Sequence, residues 1–181
     1  MVIRRDLSRF TGAGYDKGRS PAWQIAWKLV SGLVVTRWWC PVRTRASILR
    51  AFGATVGLGT VIRHEVKIHW PWKLSVGDHS WIGEGTWILN LEPVVIGADV
   101  CISQDVFLCT GSHDHRSPTF EFDNAPITVE DGAWVAARAT ILRGCRIGAD
   151  AIVGACALVT KDVPASAVVL APRATEPAGR G

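Results

Sequence analysis

Of the five histidines in this 181-residue chain, one sits in a cluster beside a long interruption of an otherwise regular repeat: Cys109, Thr110, Gly111, Ser112, His113, Asp114, His115. An uncharged imidazole near neutral pH can take a proton from an incoming hydroxyl as that oxygen attacks a carbonyl carbon. Position favours His113 for this work, because it ends the six-residue unit begun by Leu108, at the corner where the chain leaves the repeat. His64, His69, His79 and His115 read instead as surface or satisfied polar residues. Cys109 is a tempting nucleophile, but its place as second residue of the same unit makes the thiol structural.

The repeat is what must position that imidazole. An aliphatic residue recurs every six positions, through Val56, Ile62, Ile68, then Val76, Ile82, Ile88, then Ile96, Ile102, Leu108, and again from Val129 to Val159. A small or β-branched residue falls four places after most of them, as at Thr60, Ser80, Thr86, Ala133, Ala139 and Ala151. Six is neither the helical period nor the simple alternation of a strand, but it suits a short strand plus a turn, with three units closing a triangular coil of 18 residues. A lone coil leaves a face unburied, so several must stack, and about five fit between Val56 and Pro164. Two extra residues fall near Pro71-Trp72 and near Glu92-Pro93, and a much longer insertion spans 113–126. The chain thus divides into an N-terminal extension and helical cap (1–52), the coil domain with its loop (53–165) and a C-terminal tail (166–181).

Composition narrows the class. Hydrophobic residues make up 48% and charged residues 20%, which is globular rather than disordered. Five cysteines without a CxxC pair argue against a metal site or a disulfide scaffold and suit a reduced cytoplasm. The formal charge of +4 is concentrated before the coil, and no nucleic-acid motif accompanies it. Six of nine tryptophans precede residue 73. The stretch from Trp23 to Trp39 is too short and too interrupted by Gln24, Lys28 and Arg37 to span a bilayer. Its helical periodicity, broken at Pro41, reads as one or two helices closing the coil's N-terminal end, or as an aromatic and basic face resting peripherally on the inner membrane.

These hexads resemble the bacterial hexapeptide-repeat transferases over roughly three-fifths of the chain. The resemblance implies an all-β fold, a left-handed parallel β-helix, with active sites between the subunits of a homotrimer. The stretch around His113 is similar to the catalytic segment of the maltose, galactoside and xenobiotic acetyltransferases, in which such a histidine is the general base. The run from Asp78 to His115, with Trp81-Ile82-Gly83, Asn90 and Cys101-Ile102-Ser103-Gln104-Asp105, is closer still to the colanic acid biosynthesis acetyltransferases. The activity this resemblance implies is direct transfer of acetyl from acetyl-CoA to a sugar or glycan hydroxyl, in exopolysaccharide biosynthesis, with no metal required. Asp105 stands eight residues before His113, where the galactoside enzymes are expected to carry an asparagine; it and Asp114 compete to orient the ring. Asn90, Asp114 and Trp134 fall on the acceptor side. Ala136, Ala137, Gly154 and Ala155 resemble the family's CoA-binding face, where small side chains let a pantetheine arm pair with backbone, and Thr160 and Lys161 would meet its phosphates. After Val169 the family's usual Gly-Asn-Pro-Ala is replaced by Leu170-Ala171-Pro172-Arg173-Ala174, which alters the adenine contacts.

Rival readings stay open on the sequence. Other acceptors, such as an antibiotic, serine or an amino sugar, suit the same chemistry, and a non-catalytic scaffold subunit suits the same fold. The γ-type carbonic anhydrases share the coil and hold zinc with three histidines. His79, His113 and His115 could be forced into such a trio, but Thr160-Lys161-Asp162 has no use there.

Overall fold

The computed structural model describes residues 4–172. The chain winds into a left-handed parallel β-helix of about six turns, with three sheets as the faces of a triangular prism. The first face stacks Thr55–Val56, Leu74–Val76, Val94–Ile96, Ile127–Val129 and Arg146–Ile147. The second stacks Val61–Ile62, Trp81–Ile82, Cys101–Ile102, Trp134–Val135, Ile152–Val153 and Val168–Val169. The third stacks Lys67–Ile68, Trp87–Leu89, Phe107–Cys109, Thr140–Leu142 and Leu158–Val159. A partial sixth turn therefore exceeds the expected five coils. Val168–Val169, placed in the tail by sequence, pairs with Ile152–Val153 instead; positions 173–181 of that tail lie outside the described residues.

Both sequence columns point inward. The aliphatic column is buried from Val56 to Val159, and so is the small column from Thr60 to Val163. A prism this narrow holds one large and one small side chain per strand and turn, which is why the second position admits Ala, Ser and Thr but no Leu or Phe. Buried hydroxyls in that column bond to backbone, as Ser80 Oγ does to the Gly97 carbonyl at 2.7 Å. The small residue after the aliphatic has its own cause at Gly77, where an added Cβ would lie 2.5 Å from the carbonyl carbon of Gly97 in the next coil. The regular corners also place their third residue after the aliphatic in the left-handed region, at Gly59, Glu65, His79, Gly85, Asp99 and Asp105 in the first coils.

Backbone bonds join the coils in both directions: N–H groups donate forward to the next coil, as from Gly57 to Val76, Arg63 to Ile82 and His69 to Ile88, and back to the preceding one at the corners, as from His79 to Leu58 and Asp99 to Asp78. The carbonyls of Val56, Ile62 and Ile68 in the first coil face the open N-terminal end with no coil beneath them, and unpaired buried carbonyls are costly. The cap supplies donors to all three faces. Helices α1 (Pro21–Val30) and α2 (Val42–Ala51) are joined through a π-type turn at Ser31–Val35. On the first face Arg50 donates to the Val56 and Gly57 carbonyls at 2.8 and 2.9 Å. On the second, Arg45 Nη1 reaches the Ile62 carbonyl at 2.7 Å. On the third, the Trp27 indole N–H is shared between the Ile68 and His69 carbonyls.

Arg45 is fully buried, and its other donors go to the carbonyls of Val35, Arg37 and Cys40. One guanidinium thus ties the π-type turn, the chain leading into α2 and the first coil together. Arg45→Met is expected to destabilise the fold by about 3 kcal/mol, since it removes charge-assisted bonds and strands buried carbonyls. Arg45→Lys recovers only part of this, because one ammonium cannot span the fork; urea unfolding of the three proteins side by side checks both statements.

Candidate active site

The third coil ends at Cys109, and the chain returns to the prism only at Ile127. The intervening segment closes on itself as a hairpin. His113 pairs antiparallel with Phe122, the Asp114 N–H donates to the Glu121 carbonyl, and the Asp123 N–H donates to that of Ser112. Its tip is turned by the Asp114 carboxylate, which accepts from the Arg116 N–H at 2.9 Å. At its base Asn124 Oδ1 accepts from the Ser112 N–H, and Arg143 from the next coil pairs with Asp123.

His113 lies half-buried in an aromatic box. Phe120 stacks flat on its ring at 4.3 Å between centroids, Phe122 stacks at 5.1 Å, and Phe10 meets its edge at 5.8 Å. Nδ1 lies 2.8 Å from the Phe120 carbonyl oxygen. A carbonyl can only accept, so Nδ1 carries the proton, and in the neutral ring Nε2 keeps its lone pair for an incoming proton. Phe120 holds this carbonyl in place with φ at +54°, a conformation rare for a bulky residue. The orienting group is therefore a backbone carbonyl of the hairpin. Neither carboxylate expected in that role touches the ring within the chain: Asp114 is engaged in the hairpin tip, and Asp105 pairs with Arg138 at 3.7 Å.

Asp105 occupies a left-handed corner between the second and third faces, with its carboxylate over Gly85. Asp150 sits over Gly132 in the same manner, so the contacts of Asp105 in this chain are those of a corner residue. Asn90 is corrected outright. It is fully buried; its Oδ1 accepts from the Trp70 N–H, and its Nδ2 donates to the Trp70 carbonyl, leaving the amide no face for an acceptor. Cys109 is half-buried, burial raises its thiol pKa, and Sγ donates to the Gly111 carbonyl, which makes it a poor nucleophile.

The expected cofactor residues fall on two different edges of the prism. Thr160 and Lys161 lie exposed on the edge between the third and first faces, which also carries the His113 hairpin. A cleft of about 320 Å³ on that edge is lined by Gly111, Ser112, Leu142, Arg143 and Thr160. It runs from the segment of His113 across two further coils, with Arg143 midway. Ala136, Ala137, Gly154 and Ala155 lie on the edge between the second and third faces, with Asp105. There Ala137 and Ala155 are accessible, whereas Ala136 and Gly154 are buried, and a Cβ on Gly154 would meet Leu170 at 2.8 Å. Trp134 is exposed on the second face, its indole N–H donating to Ser103 Oγ at 3.0 Å. Among the described residues, no three metal-ligating side chains come together.

Sequence reasoning missed the strap. Residues 6–13 cross to the hairpin, where the Asp6 N–H donates to the Pro118 carbonyl and Glu121 accepts from the N–H groups of Thr11 and Gly12 and from the Thr11 hydroxyl. Phe10 packs on both His113 and Phe122, and Arg5 lies over the Phe120 ring. The alternation Phe120-Glu121-Phe122 was the available signal: two rings to one side and a carboxylate to the other is a strand pattern inside a supposed loop.

The family model for bacterial transferase hexapeptide repeats matches residues 126–161, the coils that return from the hairpin. WcaF of Escherichia coli, which carries the name of a colanic acid biosynthesis acetyltransferase, is 39% identical over 168 residues, 91% of each chain. The galactoside O-acetyltransferase of the same species is 28% identical over 70% of this chain and 64% of its own. Among solved structures, a hexapeptide-repeat acetyltransferase from Vibrio cholerae in complex with acetyl coenzyme A superposes with a TM-score of 0.79 at 22% identity, covering 91% of both chains.

The bonds from Thr11 and Gly12 hold the Glu121 carboxyl below its usual range. A depressed carboxylate contributes fully above its unfolded pKa and is lost as pH falls through the folded one, so the strap is latched at neutral pH and loosens only in acid. Glu121→Gln is expected to speed tryptic cleavage at Arg5 and Arg9 several-fold at neutral pH, with little change in melting temperature; timed digestion followed by mass spectrometry reads this out.

Proposed function

The chain belongs to the hexapeptide-repeat acetyltransferases, whose co-substrate is acetyl-CoA, and on that footing we propose that it acetylates a hydroxyl of a sugar or glycan in exopolysaccharide biosynthesis. The observation that carries this reading is the tautomer lock: Nδ1 of His113 held on the Phe120 carbonyl, with Nε2 left as base. Nε2 takes the acceptor hydroxyl proton as the oxygen attacks the thioester carbon. The tetrahedral intermediate collapses by breaking the C–S bond, and the imidazolium returns the proton to the departing CoA sulfur. The products are an acetyl ester and free thiol, with no acyl-enzyme. The exposed ring of Trp134 suits the apolar face of a sugar. Thr160, Lys161 and Arg143 line the route on which the phosphates of CoA would lie.

One chain cannot assemble this cleft, because the third face separates the edge of His113, Thr160 and Lys161 from that of Asp105, Ala137 and Ala155. A homotrimer solves the problem by setting one edge of each copy against the other edge of its neighbour, a heterologous contact that closes as a ring. In that arrangement Asp105 and Trp134 reach the acceptor from the adjacent subunit. The supply of acetyl-CoA places the reaction in the cytoplasm.

Thiol release from acetyl-CoA against a panel of glycosyl acceptors tests the activity, and His113→Ala is expected to lower the rate roughly 100-fold to 10,000-fold. Full activity in that variant rejects the general-base role; turnover only with serine, an antibiotic or an amino sugar rejects the acceptor. Co-expression separates a shared site from an internal one. His113→Ala and Ala155→Trp chains, each inactive alone, are expected to regain a substantial fraction of activity when mixed, and no recovery would place the whole site in one chain. Asp105→Asn should raise the acceptor KM with little effect on the KM for acetyl-CoA, whereas unchanged kinetics leave Asp105 as a corner residue only.

A further inference from the structure

From Lys17 to His64 the chain holds eight cations and no aspartate or glutamate. Two of the eight, Arg45 and Arg50, serve the carbonyl end of the coil, and Lys28 lies over the Trp70 ring. Arg19, Arg37, Arg43 and Arg63 are exposed, and no carboxylate of the described residues pairs with them.

The same segment exposes a large apolar surface. In α1, Trp27 faces the coil, while Ile25 and Leu29, two places to either side of it, fall on the opposite side of a helix with about 3.6 residues per turn. The stripe continues through Leu33, 62% exposed, to Trp39 and to Trp38, which is 80% exposed. A soluble surface seldom leaves such a row uncovered. The ten residues of α1 and the five of the turn after it are too short to cross a bilayer, and no described helix is long and apolar enough to do so.

We infer that this cap face docks on an anionic lipid bilayer, with Ile25, Leu29, Leu33, Trp38 and Trp39 in the headgroup boundary and the surrounding arginines on lipid phosphates. Aliphatic side chains bordered by tryptophan and arginine match the chemistry of that boundary. A second copy is a poor occupant, because pairing two such faces would bring together the exposed Arg19, Arg37, Arg43 and Arg63 of each, and Glu65, bonded through its N–H to the Thr36 carbonyl, is too little acid to balance them. The inference deepens the acetyltransferase reading and rests on it in one respect. In a ring of three parallel prisms all three caps lie at the same end, so three patches engage one plane. The strand before His113 is the third of its sheet, two strand spacings, roughly 10 Å, above the first coil. With the cap helix, about 10 Å across, between the first coil and the bilayer, the hairpin stands roughly 20 Å above the surface, within reach of a glycan held there by its own lipid anchor.

Flotation of the full-length protein with phosphatidylcholine vesicles, and with vesicles also containing phosphatidylglycerol, tests the inference. Retention is expected on the anionic vesicles and not on the neutral ones, with release at high salt. The pair Leu29→Glu and Leu33→Glu, and separately Arg37→Glu with Arg43→Glu, should each weaken retention at least tenfold, with native mass and unchanged thiol release on a soluble acceptor. His113→Ala must float like the parent, which separates failure of the docking from failure of the catalytic assignment. Absence of retention on anionic vesicles, equal retention on neutral ones, or retention indifferent to both paired variants would overturn the docking. Loss of trimer mass in the leucine pair would make the face an interface between copies instead.

Discussion

The first turn of a stack of coils has no neighbour beneath it, so its carbonyls at Val56, Ile62 and Ile68 need donors from elsewhere, and the cap of this molecule is arranged around closing that end. A stack of hexads can be lengthened without changing any local rule, but its first coil always presents carbonyl groups of three faces to whatever lies beneath. Water would satisfy them while leaving the aliphatic column open. Two arginines and an indole satisfy them while helices cover the column, and each donor serves a different face. The cationic, tryptophan-rich composition of the first third of the chain thus begins as a structural requirement. The surplus of arginine and tryptophan beyond the three donors that do this work is what sets the outer surface of the cap apart.

The prism was legible because its constraint repeats. Every coil must bury one large and one small side chain per strand, so the two columns recur at the same offset from Val56 to Val163, and all of their members are buried. A third regularity accompanies these two columns: at the regular corners the residue three after the aliphatic is glycine, or a residue held in the left-handed region such as Glu65, Asp99 or Asp150. Recognising it changes the reading of Asp105, which stands at one of these corners. A carboxylate eight residues before a histidine invites a chemical explanation, yet the backbone at that corner gives aspartate a sufficient reason to be there.

Around the candidate site, legibility fell with sequence separation. His113 could be found from its place at the end of a hexad, because the departure from the repeat is itself visible. What holds it could not. Phe10 lies more than a hundred residues away in sequence, and the latch from Thr11 to Glu121 spans 110 positions. Asn90 failed for a related reason. A carboxamide beside a turn looks available for hydrogen bonding, but the inserted Pro71–Lys73 turn of the preceding coil brings the Trp70 backbone within reach, and both amide atoms close on it.

A carbonyl, rather than a carboxylate, against His113 assigns the work of orientation to geometry. The carbonyl fixes which nitrogen carries the proton, because it has no proton to offer and accepts only one kind of partner. Its own direction comes from the left-handed backbone at Phe120, and that conformation persists because the His113 ring and the Arg5 guanidinium pack on Phe120 and the strap crosses the hairpin. The His113 ring is therefore positioned by an insertion in the repeat, stiffened by a strap from elsewhere in the chain. The repetitive prism supplies the edge on which that insertion stands. Changing the hairpin and strap together would alter the surroundings of His113 without disturbing a single hexad, whereas the cleft beside it needs both, since Gly111 and Ser112 meet Leu142, Arg143 and Thr160 of the coils there.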